Sequence, residues 1–118
     1  MAKYYDLEDR TFEFAKEVRA FVRTLSKTVA NIEDGKQVIR SSGSVGANYI
    51  EANESFSKKD FKFRIKICRK EAKESTYWLK LIFEGNSDKE IDKSKNKQLI
   101  NESIELKKIV SAILLKSE

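Results

Sequence analysis

The chain has 118 residues, of which 36% are charged and 40% are hydrophobic, and its formal net charge at pH 7 is +5. This length allows one domain with one core. With no proline and four glycines, the chain has too few turn residues for a strand-rich fold, and its composition suits long amphipathic helices. The absence of histidine and the single cysteine exclude an intramolecular disulfide, a thiolate-rich metal site and the Glu-x-x-His iron site of ferritin-like bundles. The sequence therefore predicts no metal, no cofactor and no catalytic residue.

The N-terminal segment and the hydropathy bear on location. Residues 1–5 contain no apolar signal-peptide region, and no apolar run approaches the roughly 20 residues needed to span a bilayer. A single cysteine fits a reducing compartment. The sequence therefore predicts a cytoplasmic protein with no membrane contact.

Hydrophobic periodicity predicts one domain of four helices. Their approximate bounds are residues 7–29, 35–55, 58–84 and 88–116 of a domain that spans residues 1–118. The first helix has Asp6 as its expected N-cap. Its apolar face consists of Phe14, Val18, Phe21, Val22 and Leu25. A polar break at residues 31–35 is expected to separate it from the second helix.

The second helix is predicted to carry two adjacent seams. The first consists of Val38, Ser42, Val45, Tyr49 and Ala52, and the second of Ile39, Gly43, Gly46 and Ile50. A face this wide is buried against more than one neighbour. Each glycine costs roughly 1 kcal/mol of helix propensity relative to alanine, so close helix packing is expected to offset that cost. A phosphate-binding loop is excluded because no strand precedes the glycines and the lysine of that motif is missing.

The third helix has the most regular pattern. It is expected to open at Ser57 and Asp60, which have the spacing of a capping box. Its apolar positions alternate steps of four and three, and they are Phe61, Ile65, Cys68, Ala72, Ser75, Leu79 and Ile82. This repeat is typical of helices packed at small angles in bundles. Ser87 and Glu90 form a second capping box, expected to open a fourth helix whose apolar side includes Leu99, Leu106, Val110 and Ile113.

The short connections determine the expected topology. Consecutive helices joined by short loops run antiparallel, which predicts an all-α, antiparallel up-down-up-down four-helix bundle. The alternative is a long helical hairpin that completes its core only by dimerising.

The positive charge is concentrated on the third helix. Residues 57–85 contain nine Lys/Arg and four Asp/Glu, whereas the rest of the chain contains fifteen of each. Six cations form a stripe beside the apolar seam, namely Lys59, Lys62, Lys66, Arg69, Lys73 and Lys80. Such a stripe is suited to contacts with a phosphate backbone, which makes these residues candidate nucleic-acid contacts. The alternative is a solvated face, partly neutralised by intrahelical pairs such as Lys70–Glu74.

Other side chains allow both structural and chemical interpretations. Four carboxylates are candidates either for an acid/base or metal constellation across helices two and three, or for ion pairs, which we favour; they are Glu51, Glu54, Glu71 and Glu74. Asn48 lies beside the packed seam, where a buried amide would fix helix register. Cys68 takes a core position without an activating histidine, so a structural role is expected. Tyr77 and Trp78 are suited either to stacking on bases or to packing in the core or a subunit interface.

Two stretches of the chain resemble a known family. Residues 40–52 read Arg-Ser-Ser-Gly-Ser-Val-Gly-Ala-Asn-Tyr-Ile-Glu-Ala, and residues 70–79 read Lys-Glu-Ala-Lys-Glu-Ser-Thr-Tyr-Trp-Leu. Together with residues 57–61 and the opening segment at residues 5–15, they are similar to the "four helix bundle protein" family, also called 23S rRNA-intervening-sequence proteins. The resemblance covers nearly the whole chain.

This resemblance implies a homopentameric ring of four-helix bundles. Some family genes lie within insertions in 23S ribosomal RNA genes. A related group, the accessory proteins of diversity-generating retroelements, consists of basic pentameric bundles that engage nucleic acid and a reverse transcriptase. The resemblance implies no catalytic residue. The positions that match its motifs, without a known role, are Asn48, Glu51, Glu71, Glu74, Tyr77 and Trp78.

The sequence and the resemblance together predict a function without catalysis. We expect an oligomeric module that binds RNA or DNA through basic helix faces. Its expected partners are further copies of itself, RNA or DNA, and a nucleoprotein partner such as a reverse transcriptase. The alternative is a protein–protein adaptor or scaffold with no direct nucleic-acid role.

Overall fold

The computed structural model describes residues 6–117, and every helix and turn in that range belongs to an all-α fold without strands. The four helices are α1 (Asp6–Arg23), α2 (Val29–Asn53), α3 (Lys58–Gly85) and α4 (Lys93–Lys116). The predicted fold class, all-α with four helices, is therefore confirmed. None of these helices, within the described residues, is both long enough and apolar enough to cross a bilayer.

Contacts between the first and last helices reveal the topology. Arg10 of α1 binds Glu102 of α4, whereas Glu17 further along α1 binds Lys95, which lies earlier in α4. Residue numbers thus rise along one helix as they fall along the other, so α1 and α4 are antiparallel. The same reversed order joins α2 to α3 and α3 to α4. Helix α1 packs against α2 and α4 and lies diagonally opposite α3, which completes an antiparallel bundle measuring 48 × 29 × 19 Å.

The core consists of two apolar clusters along the bundle axis. The larger contains side chains of all four helices, among them Phe14, Val18, Phe21, Val38, Leu79, Ile82, Leu99 and Leu106. Among the described residues, the smaller contains side chains of α2, α3 and α4 only, namely Ala52, Ile65, Cys68, Val110 and Leu114. Most of the predicted apolar positions are buried. The exceptions are Val22, Ile39, Gly43, Tyr49, Phe61 and Ile113, which are half-buried, and Ile50, which is exposed.

The connection between α1 and α2 lies earlier than the sequence predicts. The chain leaves α1 after Arg23, and residues 31–35, expected to be a break, are helical. Thr28 caps α2 by accepting a hydrogen bond from the backbone N–H of Asn31. The Asn31 side chain is itself 5% exposed and exchanges two hydrogen bonds, of 3.0 and 2.9 Å, with Asn86 at the end of α3. These contacts keep residues 31–35 helical, although the composition of the segment favours a turn.

Close approach of α1 and α2 explains two of the three glycines of α2. A β-carbon at Gly35 would lie 2.9 Å from Cγ1 of Val22, and one at Gly46 would lie 2.9 Å from Oγ1 of Thr11. Both distances are shorter than real β-carbon contacts, so these two positions need glycine for the observed packing. At Gly35 and Gly46, close helix packing therefore offsets the low helix propensity of glycine, as expected.

The remaining helix ends differ in how well the capping residues predict them. Ser57 accepts from the N–H of Asp60 and opens α3 as expected. At the second capping box, the carboxylate of Glu90 accepts from the N–H of Ser87, but this contact closes a separate turn. Helix α4 begins later, at Lys93, with Asp92 as its N-cap. Asp6, predicted to be the N-cap of α1, is instead itself helical.

Candidate nucleic-acid interface

Because the apolar seam of α3 is buried, the basic stripe beside it faces outward. Ile65, Cys68 and Leu79 on the seam have no exposed surface. Of the six predicted contact residues, Lys59, Lys66, Lys73 and Lys80 are exposed, and Lys62 and Arg69 are half-buried. The stripe therefore lies on the outer surface of the bundle, beside α4.

Part of this stripe lines a shallow groove between α3 and α4, with a volume of about 460 Å³. Its lining residues are Lys66, Arg69, Lys70, Lys73, Lys107 and Ser111. Three of the six predicted contacts, Lys66, Arg69 and Lys73, thus come together in what we call the basic groove. The other three lie along the same helix outside its lining.

Two cations of the basic groove were missed by the sequence reasoning. Lys70 was assigned to an intrahelical pair, although its position one turn after Lys66 places it on the same face. Lys107 belongs to α4, and no pattern within α4 distinguishes it from its neighbours. Its place in the groove depends on how α3 and α4 align, which the 2.6 Å contact between the hydroxyls of Thr76 and Ser103 reveals.

The cations of the basic groove have no carboxylate partners among the described residues. The ion pairs found within residues 6–117 use other Lys and Arg side chains. The expected Lys70–Glu74 pair is not formed, because Glu74 instead accepts a hydrogen bond of 3.2 Å from Arg40 of α2. The lining itself contains no Asp or Glu. Five positive charges therefore face solvent together, in a position to attract an anion.

The four predicted carboxylates do not form one site. Arg40 binds both Glu71, at 3.4 Å, and Glu74, at 3.2 Å, and Glu71 is only 5% exposed. Glu51 lies eleven residues after Arg40 on α2, roughly 16 Å along the axis, and Glu54 caps the end of that helix. Among residues 6–117, no group of three or more His, Cys, Asp or Glu side chains is placed to hold a metal ion. Glu71 and Glu74 thus form the expected ion pairs, which join α2 to α3, whereas Glu51 and Glu54 take part in none of the ion pairs found within residues 6–117.

Asn48 also joins α2 to α3, but at a half-buried position. Its Oδ1 accepts from Nη1 of Arg64 at 3.0 Å, and its Nδ2 donates to the backbone carbonyl of Ser44 at 2.9 Å. The buried amides that sequence reasoning missed lie elsewhere, at Asn31, Asn86 and Asn96. Asn48 thus contributes to the alignment of these helices through an arginine at the surface.

The two candidate stacking residues have different surroundings. Trp78 is half-buried and packs against the larger core cluster, which makes it a packing residue. Tyr77 is 59% exposed, and its ring meets that of Trp78 edge to face, with 5.1 Å between centroids and an interplanar angle of 78°. Of the pair, only Tyr77 presents a ring to solvent.

Cys68 is enclosed between α2 and α3. It is 0% exposed, and its Sγ donates to the backbone carbonyl of Val45 at 3.4 Å. Burial raises the pKa of the thiol to about 12. Because the thiolate is the nucleophilic form, this cysteine is unreactive at neutral pH, in keeping with the expected structural role.

The other faces of the bundle have a different chemistry. The groove between α1 and α4, about 700 Å³, is lined by the acidic side chains Asp9, Glu13, Glu17, Glu102 and Glu105. The groove between α1 and α2, about 680 Å³, is mainly apolar. It contains Gly43, Gly46 and Ala47 together with two exposed hydrophobic side chains, Phe12 at 69% and Ile50 at 47%. We call the latter the apolar groove.

These features define an all-α antiparallel four-helix bundle whose basic, acidic and apolar surfaces lie between different pairs of helices. The family model for 23S rRNA-intervening sequence proteins matches residues 4–112. The chain therefore belongs to the family of 23S rRNA-intervening sequence proteins, as the resemblance in its motifs indicated.

A solved structure supports the same relationship. It is that of a protein of unknown function from the S23 ribosomal protein family of Bacteroides thetaiotaomicron. The two sequences are 31% identical, the match covers 91% of this chain and 96% of that chain, and the TM-score is 0.78. No curated protein matches the chain.

Proposed function

We propose that this protein is a non-enzymatic, cytoplasmic module that binds RNA or DNA through the basic groove between α3 and α4. One observation carries the proposal: four cations of α3 and one of α4 line a single groove that contains no carboxylate. Without ion-pair partners in the described residues, these cations need not break an existing pair before they meet a phosphate. Phosphate contacts supply most of the affinity when binding does not depend on sequence.

The number of cations sets the expected salt dependence. Each phosphate that a protein neutralises contributes a slope of about −0.7 for single strands or −0.9 for duplex DNA to a plot of log K against log salt concentration. Five contacts therefore correspond to a slope of about −3.5 to −4.5. Raising the salt from about 50 to 200 mM should then weaken binding roughly 100- to 500-fold.

A pair of charge reversals tests this role. The double variant Lys66→Glu/Lys73→Glu should lose most of its affinity for labelled RNA and DNA, and its salt slope should shrink by about two units. A matched control, Lys27→Glu/Lys36→Glu, makes the same change in net charge at exposed positions outside α3. Both are measured by fluorescence anisotropy over a salt series with nuclease-treated protein. Wild-type affinity and slope in the Lys66/Lys73 variant would contradict the proposal.

We also propose that the module assembles as a homopentamer. The family resemblance supports this assembly, and the apolar groove supplies a surface on which a second copy would bury Phe12 and Ile50. A ring would repeat the basic groove in every subunit, so that a weak affinity for phosphates is multiplied on a long strand.

Light scattering on the purified protein tests the assembly. The wild type should have the mass of five chains, and Phe12→Glu should dissociate it. Phe56→Glu is the control, because Phe56 lies in the connection between α2 and α3 and its ring is fully exposed. A monomeric wild type would contradict the pentamer, and the apolar groove would then favour the alternative function, a protein–protein adaptor. Salt-tolerant capture of one protein partner, lost in Phe12→Glu, would support that alternative.

A further inference from the structure

Two exposed aromatic rings lie on the basic face of α3. Phe63 is 58% exposed and Tyr77 is 59% exposed. They are fourteen residues apart, or roughly 21 Å along the helix axis. Since seven residues make almost two full turns, Phe63, Lys70 and Tyr77 follow one another on nearly the same side of α3.

Cations occupy the intervals between the rings. Lys66 and Lys73 lie between Phe63 and Tyr77, with Lys70 midway, and these three lysines all line the basic groove. Single apolar side chains on a surface are ordinary and need no explanation. Here, however, the two rings flank three lysines that have no ion-pair partner in the described part of the chain, and aromatic rings beside cations are the combination that proteins use to bind single-stranded nucleic acids.

Neighbouring contacts hold both rings in place. Tyr77 rests edge to face on Trp78, which is anchored against the larger core cluster. At Phe63, the guanidinium of Arg64 lies 5.9 Å from the ring centroid, and Arg64 is in turn bound to Asn48 by a 3.0 Å hydrogen bond. Rings that are already ordered lose less conformational freedom when a ligand binds.

We propose that this face of α3 binds single-stranded nucleic acid, with Phe63 and Tyr77 stacking on bases while the lysines between them contact phosphates. This inference rests on the proposed function, because it requires nucleic acid in the basic groove. A duplex keeps its bases stacked on one another, so it offers phosphates to the lysines but no free base face to the rings. A single strand offers free base faces as well, and both rings would contribute to its affinity.

Leucine substitutions separate stacking from charge. Phe63→Leu and Tyr77→Leu keep an apolar side chain of good helix propensity but remove the aromatic face. Each should weaken the binding of a labelled 12-nucleotide oligo(U) or oligo(dT) about fivefold or more. The salt slope and the affinity for a 12-base-pair duplex should stay as in the wild type. Phe56→Leu, at a fully exposed ring in the connection between α2 and α3, is the control, and circular dichroism verifies that every variant is folded.

The outcomes distinguish this inference from the proposal it rests on. If the leucine variants bind single strands as the wild type does, while Lys66→Glu/Lys73→Glu loses binding, stacking is overturned and the basic groove stands. A wild-type protein that prefers the duplex also overturns the inference. If the wild type binds none of the probes at low salt, the proposed function fails, and the stacking inference fails with it.

Discussion

Replacing Gly46 with alanine tests how closely α1 and α2 approach each other. A β-carbon there would lie 2.9 Å from Oγ1 and 3.2 Å from Cβ of Thr11. Thr11 is 1% exposed and its hydroxyl donates to the carbonyl of Glu8, so its side chain has little room to move. Alanine gains about 1 kcal/mol of helix propensity over glycine, whereas overpacking costs about 1–3 kcal/mol. The free energy of unfolding should therefore fall by up to about 2 kcal/mol.

Gly43→Ala provides the matched comparison on the same helix. A β-carbon at Gly43 would meet only the guanidinium nitrogens of Arg19, at 3.4 and 3.8 Å. That group is the far end of a flexible side chain, so it can shift at little cost. The substitution should therefore raise the free energy of unfolding by about 0.5–1 kcal/mol. Urea unfolding followed by circular dichroism measures both variants, at one protein concentration because self-association would alter the apparent stability.

The two variants should thus move the urea midpoint in opposite directions. If Gly46→Ala stabilised the protein as much as Gly43→Ala, the close contact with Thr11 would be refuted. A double-mutant cycle adds a second check. Thr11→Ala should cost less in the Gly46→Ala background than in the wild type, because it removes Oγ1, the nearest of the atoms that the new methyl group meets.

Two further predictions concern buried polar groups. Asn31→Leu should lower the free energy of unfolding by about 1–3 kcal/mol, because it leaves Asn86 buried without its partner; Asn101→Leu, at an exposed site, is the control, and equal shifts in Tm would contradict the role of the pair. Cys68 should react with a thiol reagent at neutral pH only at the rate at which the protein unfolds. Since its pKa is raised from 9.0 to about 12, the stability gained from the protonated thiol is complete below about pH 9 and is lost as the pH rises towards 12. Comparing wild type with Cys68→Ala by urea unfolding over that range checks the sign, and an identical pH dependence would contradict it.

Helix α3 was predictable from the sequence because its signals are local. Apolar residues of the seam recur every three or four positions. The hydroxyl of Ser57 accepts a hydrogen bond from the backbone N–H of Asp60, three residues later, as in a capping box. Helical geometry alone turns these spacings into one buried and one exposed face. The outward direction of the basic stripe follows from the same geometry.

The start of α2 and the full basic groove were not predictable, because distant residues determine them. Residues 31–35 have the composition of a break, but Asn31 pairs with Asn86, 55 positions away. Likewise, Lys107 joins the groove only because α4 aligns with α3 through Thr76 and Ser103. A periodic pattern within one helix contains no information about the alignment of two helices. Alignment is decided by packing and polar contacts between them.

The absence of α1 from the smaller core cluster has a consequence for how the chain folds as it is made. Among the described residues, α2, α3 and α4 supply every side chain of that cluster, whereas the ion pair of α1 with α4 joins Arg10 to Glu102, 92 positions further along the chain. At about 5–20 residues per second, ribosomes need roughly 5 to 18 seconds to synthesise the stretch between them. During that interval Phe14, Val18 and Phe21 lack part of their packing partners. The first of the four helices to emerge thus waits longest for its last partner, and its apolar face stays incompletely packed throughout that interval.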